Sequence, residues 1–294
     1  MTANLNPIYV IGSINTDMVA MTEVLPSPGE TVMGGEFMMT AGGKGANQAV
    51  AAARMGGDVT MIGRLGNDVF ADQSIKRLIS ENINCEFITN DTEKASGVAL
   101  ISVDKNGENH IVVAPGANAT LTKERLKAVL KQMPDNAIVM MQLEIPLESV
   151  ATVIKFCKKS NIKIILDPAP AKNLTPEFTQ SLYMLTPNET EASTLTGIKI
   201  KDLLDIKKAA TKLLGFGSQY VLITMGADGV YLASQNDEFE YIPSPKVTTV
   251  DSTAAGDCFN GTMAVALSQG LSVSEAAKKA CRAASISVTR KGAQ

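Results

Sequence analysis

The stretch Asp251-Ser-Thr-Ala-Ala-Gly-Asp-Cys-Phe-Asn-Gly261 sets two carboxylates around a turn of small residues. Val247–Val250 reads as a strand entering the turn, and Phe259–Leu267, mixed small and apolar, as a buried helix leaving it. At such a helix start the backbone N–H groups of Ala255, Gly256 and Asp257 lack intrahelical partners, and the positive end of the helix dipole lies behind them, so an anion is favoured there. Gly256 lets the backbone come close to it. Asp257 at the same place suits a base that takes a proton from a hydroxyl attacking a phosphate. An aspartate that merely caps the helix accounts for the same spacing.

Four further segments carry polar groups at informative spacings. Gly42-Gly-Lys-Gly-Ala-Asn-Gln48 runs into the small-residue segment Ala49–Met55. It is not a Walker A loop, because Gly45 follows Lys44 where Ser or Thr is needed, and it is not a dinucleotide fingerprint. A glycine run bearing Lys44 and Asn47 fits sugar hydroxyls, or else a plain tight turn before a close-packed helix. Asn15 and Asp17 point to one side of an extended chain and could grip vicinal hydroxyls; an Asx turn is the alternative. In Thr186-Pro-Asn-Glu-Thr-Glu191, Asn188 and Glu191 share one face of a helix start, where they could hold a hydrated magnesium beside a polyphosphate or simply cap the helix. Thr224-Met-Gly-Ala-Asp-Gly229 is a glycine-rich turn into Val230–Ser234, either a nucleotide contact or only a hairpin.

Composition narrows the chemistry. With 294 residues, 45% of them hydrophobic, the chain can build one large α/β domain or two smaller ones and should be soluble and globular. A net charge of −3 and a pI near 5.4 argue against nucleic acid or an anionic membrane surface as partner. There is no apolar run long enough to span a bilayer, and the N-terminus shows no basic region followed by an apolar core, so a cytoplasmic location is expected. The four cysteines, Cys85, Cys157, Cys258 and Cys281, show no paired spacing, so neither a disulfide framework nor a zinc site is expected. The single histidine, His110, sits in an alternating strand and reads as a surface residue, which leaves Asp, Glu or Lys as the source of a general base.

The elements that must position these residues alternate. Ile8–Gly12, Val59–Gly63, Ala137–Leu143, Lys163–Leu166, Tyr183–Leu185 and Tyr220–Thr224 read as strands, with helices near 44–55, 70–81, 122–131, 147–160 and 203–214 between them. This rhythm predicts an α/β fold with a mainly parallel sheet flanked by helices on both faces. Residues 17–40 and 97–113, the latter with Val98–Val103 and His110–Val113, break the rhythm with strands and no helix. They predict a small separate sheet with one apolar face to bury over a cleft or against a second copy. Ligands of a parallel sheet collect beyond the strands' carboxyl ends. Asn15, Asp17, Glu144, Asn188, Thr224–Gly229, Asp251 and Asp257 all follow strands and converge there.

Taken together, Gly12–Asp17, Pro28–Val32, Gly42–Val50, Met141–Glu144, Asp167–Pro170, Thr186–Glu191, Ala254–Asp257 and Val288–Gln294 resemble the ribokinase family of carbohydrate kinases, over nearly the entire chain. The resemblance implies ATP-dependent phosphorylation of O5 of D-ribose, with Mg²⁺ and a stimulating monovalent cation, usually K⁺. It implies a single ribokinase-like domain over 1–294, whose discontinuous β lid, from about 17–40 and 97–113, contributes to a homodimer. By resemblance Asp257 is the base, and the backbone of Ala254–Asp257 forms the anion hole. Ribose falls to Asn15, Asp17, Gly43, Lys44, Gly45, Ala46, Asn47 and Glu144, and the nucleotide to Asn188, Thr224, Met225, Gly226, Ala227, Asp228, Gly229, Ala255 and Gly256. Glu191 acts on Mg²⁺ through water, and the monovalent cation takes the Asp251 carboxylate with backbone oxygens of Thr253, Ser287, Arg290 and Gly292. Thr253, Cys258 and Asp167 depart from the residues common in the family, and the family pattern continues past Gln294 through a Ser-containing turn and a helix, so one cation ligand is expected outside this sequence. The alternatives are a kinase for 2-deoxyribose or another small sugar, and a non-catalytic sugar-binding regulator.

Overall fold

The computed structural model describes residues 5–172 and 174–294; residues 1–4 of the N-terminal stretch read above for a signal peptide lie outside them. The chain starts with β1 (Ile8–Ile11), β2 (Asn15–Thr22) and β3 (Gly34–Gly42), then α1 (Lys44–Arg54), β4 (Val59–Leu65), α2 (Val69–Ser80) and β5 (Asn84–Asn90). β6 (Gly97–Val103) and β7 (Asn109–Ala114) follow, then α3 (Lys123–Leu130), β8 (Ile138–Met141), α4 (Leu147–Ser160), β9 (Lys163–Leu166) and β10 (Met184–Leu185). The remainder comprises α5 (Glu189–Thr196), α6 (Leu203–Leu214), β11 (Tyr220–Thr224), β12 (Val230–Ser234), β13 (Phe239–Ile242), α7 (Ala255–Ser268) and α8 (Val273–Ser287).

Nine strands form the main sheet in the order β13-β12-β11-β10-β9-β8-β1-β4-β5, parallel except at the β11-β12-β13 edge. Its central strands are buried on both faces, as near-continuous apolar runs require. Alternation along β1 splits the core: Ile8 and Val10 pack with Val50, Phe259 and Ala277 of α1, α7 and α8, whereas Ile11 packs with Leu126, Val153 and Ile206 of α3, α4 and α6. From β1 the chain moves outward through β4 and β5 and later returns to β8 on the other side of β1. The β1/β8 junction is therefore a topological switch point, where a crevice opens beyond the strand ends. Among the described residues no helix is long and apolar enough to cross a membrane.

The second sheet predicted from the two interruptions is present, in the order β3-β2-β6-β7. Two expectations need correction. Val247–Val250 is not a strand: after β13 come Pro243 and Pro245, the chain leaves the sheet, and Val247 and Val250 are exposed. The helix read from Phe259 begins earlier, at Ala255. Beyond these, β5, β13 and α8 are elements the apolar pattern did not reveal, although Ser272 and Glu275 form a full capping box at the start of α8.

α1 and α7 touch backbone to side chain. A Cβ on Gly261 would lie 2.7 Å from Ala51 Cβ and 2.8 Å from both Ala52 N and Gln48 O. In an open helix Gly→Ala gains about 1 kcal/mol from propensity. Here the overlap falls on backbone and should cost about 1–3 kcal/mol. Gly261→Ala is therefore expected to destabilise the protein in urea unfolding; a stabilised variant would contradict this packing.

Candidate active site

Gly43, with φ +89°, turns the chain from β3 into α1, and a Cβ there would meet the amide nitrogen of Asn15 at 2.7 Å. The turn sets Lys44, Asn47 and Gln48 at the β1/β8 junction. There Glu144 Oε2 accepts from Ser13 Oγ at 2.5 Å and from the Lys44 amide at 3.1 Å, tying the ends of β1 and β8 to the start of α1. Asn15 and Asp17 lie within β2 rather than in an Asx turn. Asn15 Oδ1 accepts from Asn118 Nδ2 at 2.8 Å, and Asn118 is fixed in turn by the main chain of Ile14, so the Asn15 amide has one orientation. Asp17 is pushed up to about 6 by burial first, then by Glu144 and Asp257.

Asp257 is 6% exposed, and its oxygens take side-chain donors rather than amides of its own helix. Asn47 Nδ2 donates to Oδ2 at 3.3 Å and Gln48 Nε2 to Oδ1 at 3.0 Å. Asn47 is itself oriented by Gln294 Nε2, which donates to its Oδ1 at 2.7 Å. The capping alternative fails, because the residue at the helix cap is Ala254, with φ +58° and no capping side chain. The amides of Gly256 and Asp257 consequently make no hydrogen bond among the described residues, whereas the Ala255 amide, expected to be free, donates to Ser252 O at 3.3 Å. Burial raises Asp257 above the ordinary carboxylate range, against the pull of Lys44, Gln48 and Asn47.

Asp167, at the end of β9, shares the Gln48 amide, accepting from Nε2 at 2.9 Å. Burial pushes it up to about 8; Lys44 opposes the rise, and Asp257 and Glu191 add to it. Burial alone would lower the Lys44 ammonium, but Asp257, Asp167, Glu144 and Glu191 outweigh that and hold it charged.

These groups border a polar cavity of about 170 Å³ lined by Lys44, Asp167, Thr186, Asn188, Glu191, Thr224, Gly256, Asp257 and Asn260, among others. Asn188 and Glu191 form the capping box, with both bonds at 2.8 Å, and they also line the cavity, so capping and ligand contact are compatible. Of 224–229 only Thr224 reaches this cavity; Met225 is buried, and Gly226 to Gly229 make the hairpin turn into β12. Asp251 Oδ1 accepts from the Thr253 amide and Oδ2 from the Gly292 amide, each at 2.9 Å, which draws 251–253 and 287–292 together beside the start of α7. Thr253, Ser287, Arg290 and Gly292 border a neighbouring cavity of about 500 Å³ rather than the polar one. His110 is exposed on β7. Sequence reasoning missed Ser13, Gln48, Asn118, Gln142 and Asn260. Their signal was polarity at positions that fold inside, and Asn260, in the cavity wall, keeps a buried Oδ1 without a partner among the described residues.

Residues 6–294 match the pfkB family carbohydrate kinase model. The chain is 40% identical over 287 residues to a ribokinase of Haemophilus influenzae, covering 98% of this chain and 94% of that protein. It is 38% identical over 288 residues to a deoxyribokinase of Salmonella typhimurium, with the same coverage of both chains. The structure of an Arabidopsis thaliana ribokinase complexed with ribose and ATP superposes with a TM-score of 0.92 at 33% identity, covering 98% of this chain and 94% of that one.

A carboxylic acid raised by burial stabilises the fold fully below its unfolded value, near 4, and loses that contribution as pH rises through the folded value. For Asp167 this window ends at about 8. Asp167→Asn keeps an acceptor for Gln48 but cannot ionise, so it should stabilise the protein more at pH 9 than at pH 6, by at least about 1 kcal/mol, one pK unit being ~1.4 kcal/mol. Thermal unfolding at the two pH values tests this, and an equal effect at both would refute it.

Proposed function

This chain belongs to the pfkB family of carbohydrate kinases, and on that footing we propose that it transfers the γ-phosphoryl group of ATP to O5 of D-ribose, giving ribose 5-phosphate, with Asp257 as the base. The observation that carries the residue assignment is the Asp257 carboxylate, held at both oxygens, on the same helix turn as the free amides of Gly256 and Asp257 and within electrostatic reach of Lys44. Similarity to a plant protein crystallised with ribose and ATP supports the substrate pair.

In this reading ribose lies among Asn15, Asp17, Gly43, Lys44, Asn47 and Glu144, and the nucleotide among Asn188, Thr224, Gly226, Gly229 and Gly256. Bound side by side, the sugar hydroxyl attacks the γ-phosphorus as its proton passes to Asp257, and the bond to the departing ADP oxygen breaks. Lys44 and the free amides offset the charge that develops on the transferred group. Glu191 fits a role toward Mg²⁺: Oε2 is engaged by the Asn188 amide, and the side chain lines the phosphate-sized cavity, so its other oxygen can meet a water of the ion. Magnesium bound there would neutralise phosphate charge. K⁺ would take the Asp251 carboxylate, whose two oxygens also hold the amides of Thr253 and Gly292, with carbonyls of Thr253, Ser287, Arg290 and Gly292. A cytoplasmic location fits the four free cysteines.

The second sheet is the lid of a single domain in this proposal. Register places Asp17, Ala99 and Val113 on one face and Met18, Met39, Leu100 and Val112 on the other. The face opposite Asp17 leaves Phe37, Met39, Leu100 and Val112 exposed, an apolar patch that a second copy would cover in a homodimer.

The near-equal similarity to a deoxyribokinase keeps 2-deoxyribose as a second reading. ADP release measured with both sugars decides: ribose should give the higher kcat/KM, and Asp257→Asn should cut turnover by about 10²–10⁴. A clear preference for 2-deoxyribose would shift the substrate, and near-normal turnover by the variant would remove Asp257 as base. Light scattering should find a dimer for the native chain and a monomer for Leu100→Asp/Val112→Asp; a native monomer would overturn the dimer.

A further inference from the structure

Gln48 lies on α1, 1% exposed, and every polar atom of its side chain is engaged. Nε2 donates to Asp257 Oδ1 at 3.0 Å and to Asp167 Oδ2 at 2.9 Å, while Oε1 accepts from Gln142 Nε2 at 2.6 Å. A primary amide has two N–H hydrogens, and the two carboxylates take both. The two carboxylates fix which way round the amide sits, because both take its nitrogen, which leaves its oxygen to accept from Gln142. Gln142 is fully buried beyond β8, and Gly12 makes room for it: a Cβ there would lie 2.1 Å from Gln142 Oε1. Residues just beyond β8 and β9 and from α7 thus converge on one amide of α1.

We propose that Gln48 is a positioning residue for the phosphoryl transfer: it anchors Oδ1 of Asp257 and leaves Oδ2 as the atom that meets the substrate hydroxyl. The inference rests on the role assigned to Asp257. Asn47 cannot substitute, since its bond to Oδ2 is longer, at 3.3 Å, and involves the oxygen that must accept the proton. A donor to the ionised form lowers a carboxyl pKa, and burial pushes this one up, so loss of the Gln48 donor moves Asp257 further upward. The other groups facing it stay in place: Lys44 from α1, Asp17 from β2, Glu144 beyond β8, Asp167 beyond β9 and Cys258 beside it on α7, with Glu191 of α5 acting on Lys44 and Asp167.

The test compares the native chain with Gln48→Met, which keeps the length and removes the amide, and with Gln48→Glu, which keeps the shape and, when ionised, has no donor. At pH 7 both should lose about 10–100-fold in kcat, the usual cost of removing a partner that orients a working group, while KM for sugar and ATP changes less than about threefold. The acidic limb of kcat should move to higher pH, so the loss shrinks as pH rises. Carbon-13 NMR titration of the Asp257 carboxyl in the protein without substrate should show the same upward move, independently of turnover. Native kcat in a folded variant, parallel changes in kcat and KM with an unmoved limb, or an unmoved carboxyl titration would each overturn the proposal. A native chain that phosphorylates no sugar would instead defeat the functional reading, and the titration would still decide the role of Gln48.

Discussion

The site depends on how closely α1 approaches α7. Gly261 allows the two backbones to meet at Gln48 and Ala52, and Gly45, where a Cβ would lie 2.7 Å from Ser13 N, lets the start of α1 press against the end of β1. With α1 clamped on both sides, Asn47 and Gln48 reach Asp257 across more than two hundred residues of sequence, and the Lys44 amide reaches Glu144. A carboxylate as buried as Asp257 could not stay ionised among apolar neighbours; two amide donors and one ammonium make its charge tolerable.

The electrostatics have the form expected of a centre built for chemistry rather than stability. Asp257, Asp167, Glu144 and Glu191 surround Lys44, and three of the four are raised above the ordinary range mainly by burial. Contrast the helix starts: α5 and α8 carry full capping boxes, whereas α7 begins at an uncapped Ala254 with amides of Gly256 and Asp257 left over. Stability has been forgone there, and an anion would restore it. The free amides and the Asp257 carboxylate lie within one helix turn, which suits an incoming phosphoryl group and an attacking hydroxyl meeting at one place.

Much of the fold was legible because burial on both sheet faces writes itself as short apolar runs, and amphipathic helices such as 147–160 and 203–214 as a 3.6-residue period. β5 escaped because an edge strand reading Asn-Cys-Glu-Phe-Ile-Thr-Asn has little to bury. Val247–Val250 misled because β-branched content marks a strand only where an edge is available for pairing. Within the site, Asp257, Lys44 and Asn47 could be read from glycine-rich helix starts. Gln48 and Gln142 could not, since their meaning lies in contacts between segments far apart in sequence, and Asn118 is silent until its amide is seen gripping Asn15.

Together these features bring Asp257, Lys44 and the free amides of Gly256 and Asp257 to one polar cavity beyond the strand ends, where the proposed transfer would take place. A crystal structure of the protein with ribose and a non-hydrolysable ATP analogue tests this most directly. An Asp257 oxygen is expected within hydrogen-bond distance of O5, about 2.6–3.2 Å, with the Gly256 and Asp257 amides facing the terminal phosphate. An Asp257 carboxylate turned away from the sugar, or a terminal phosphate seated away from the start of α7, would contradict it.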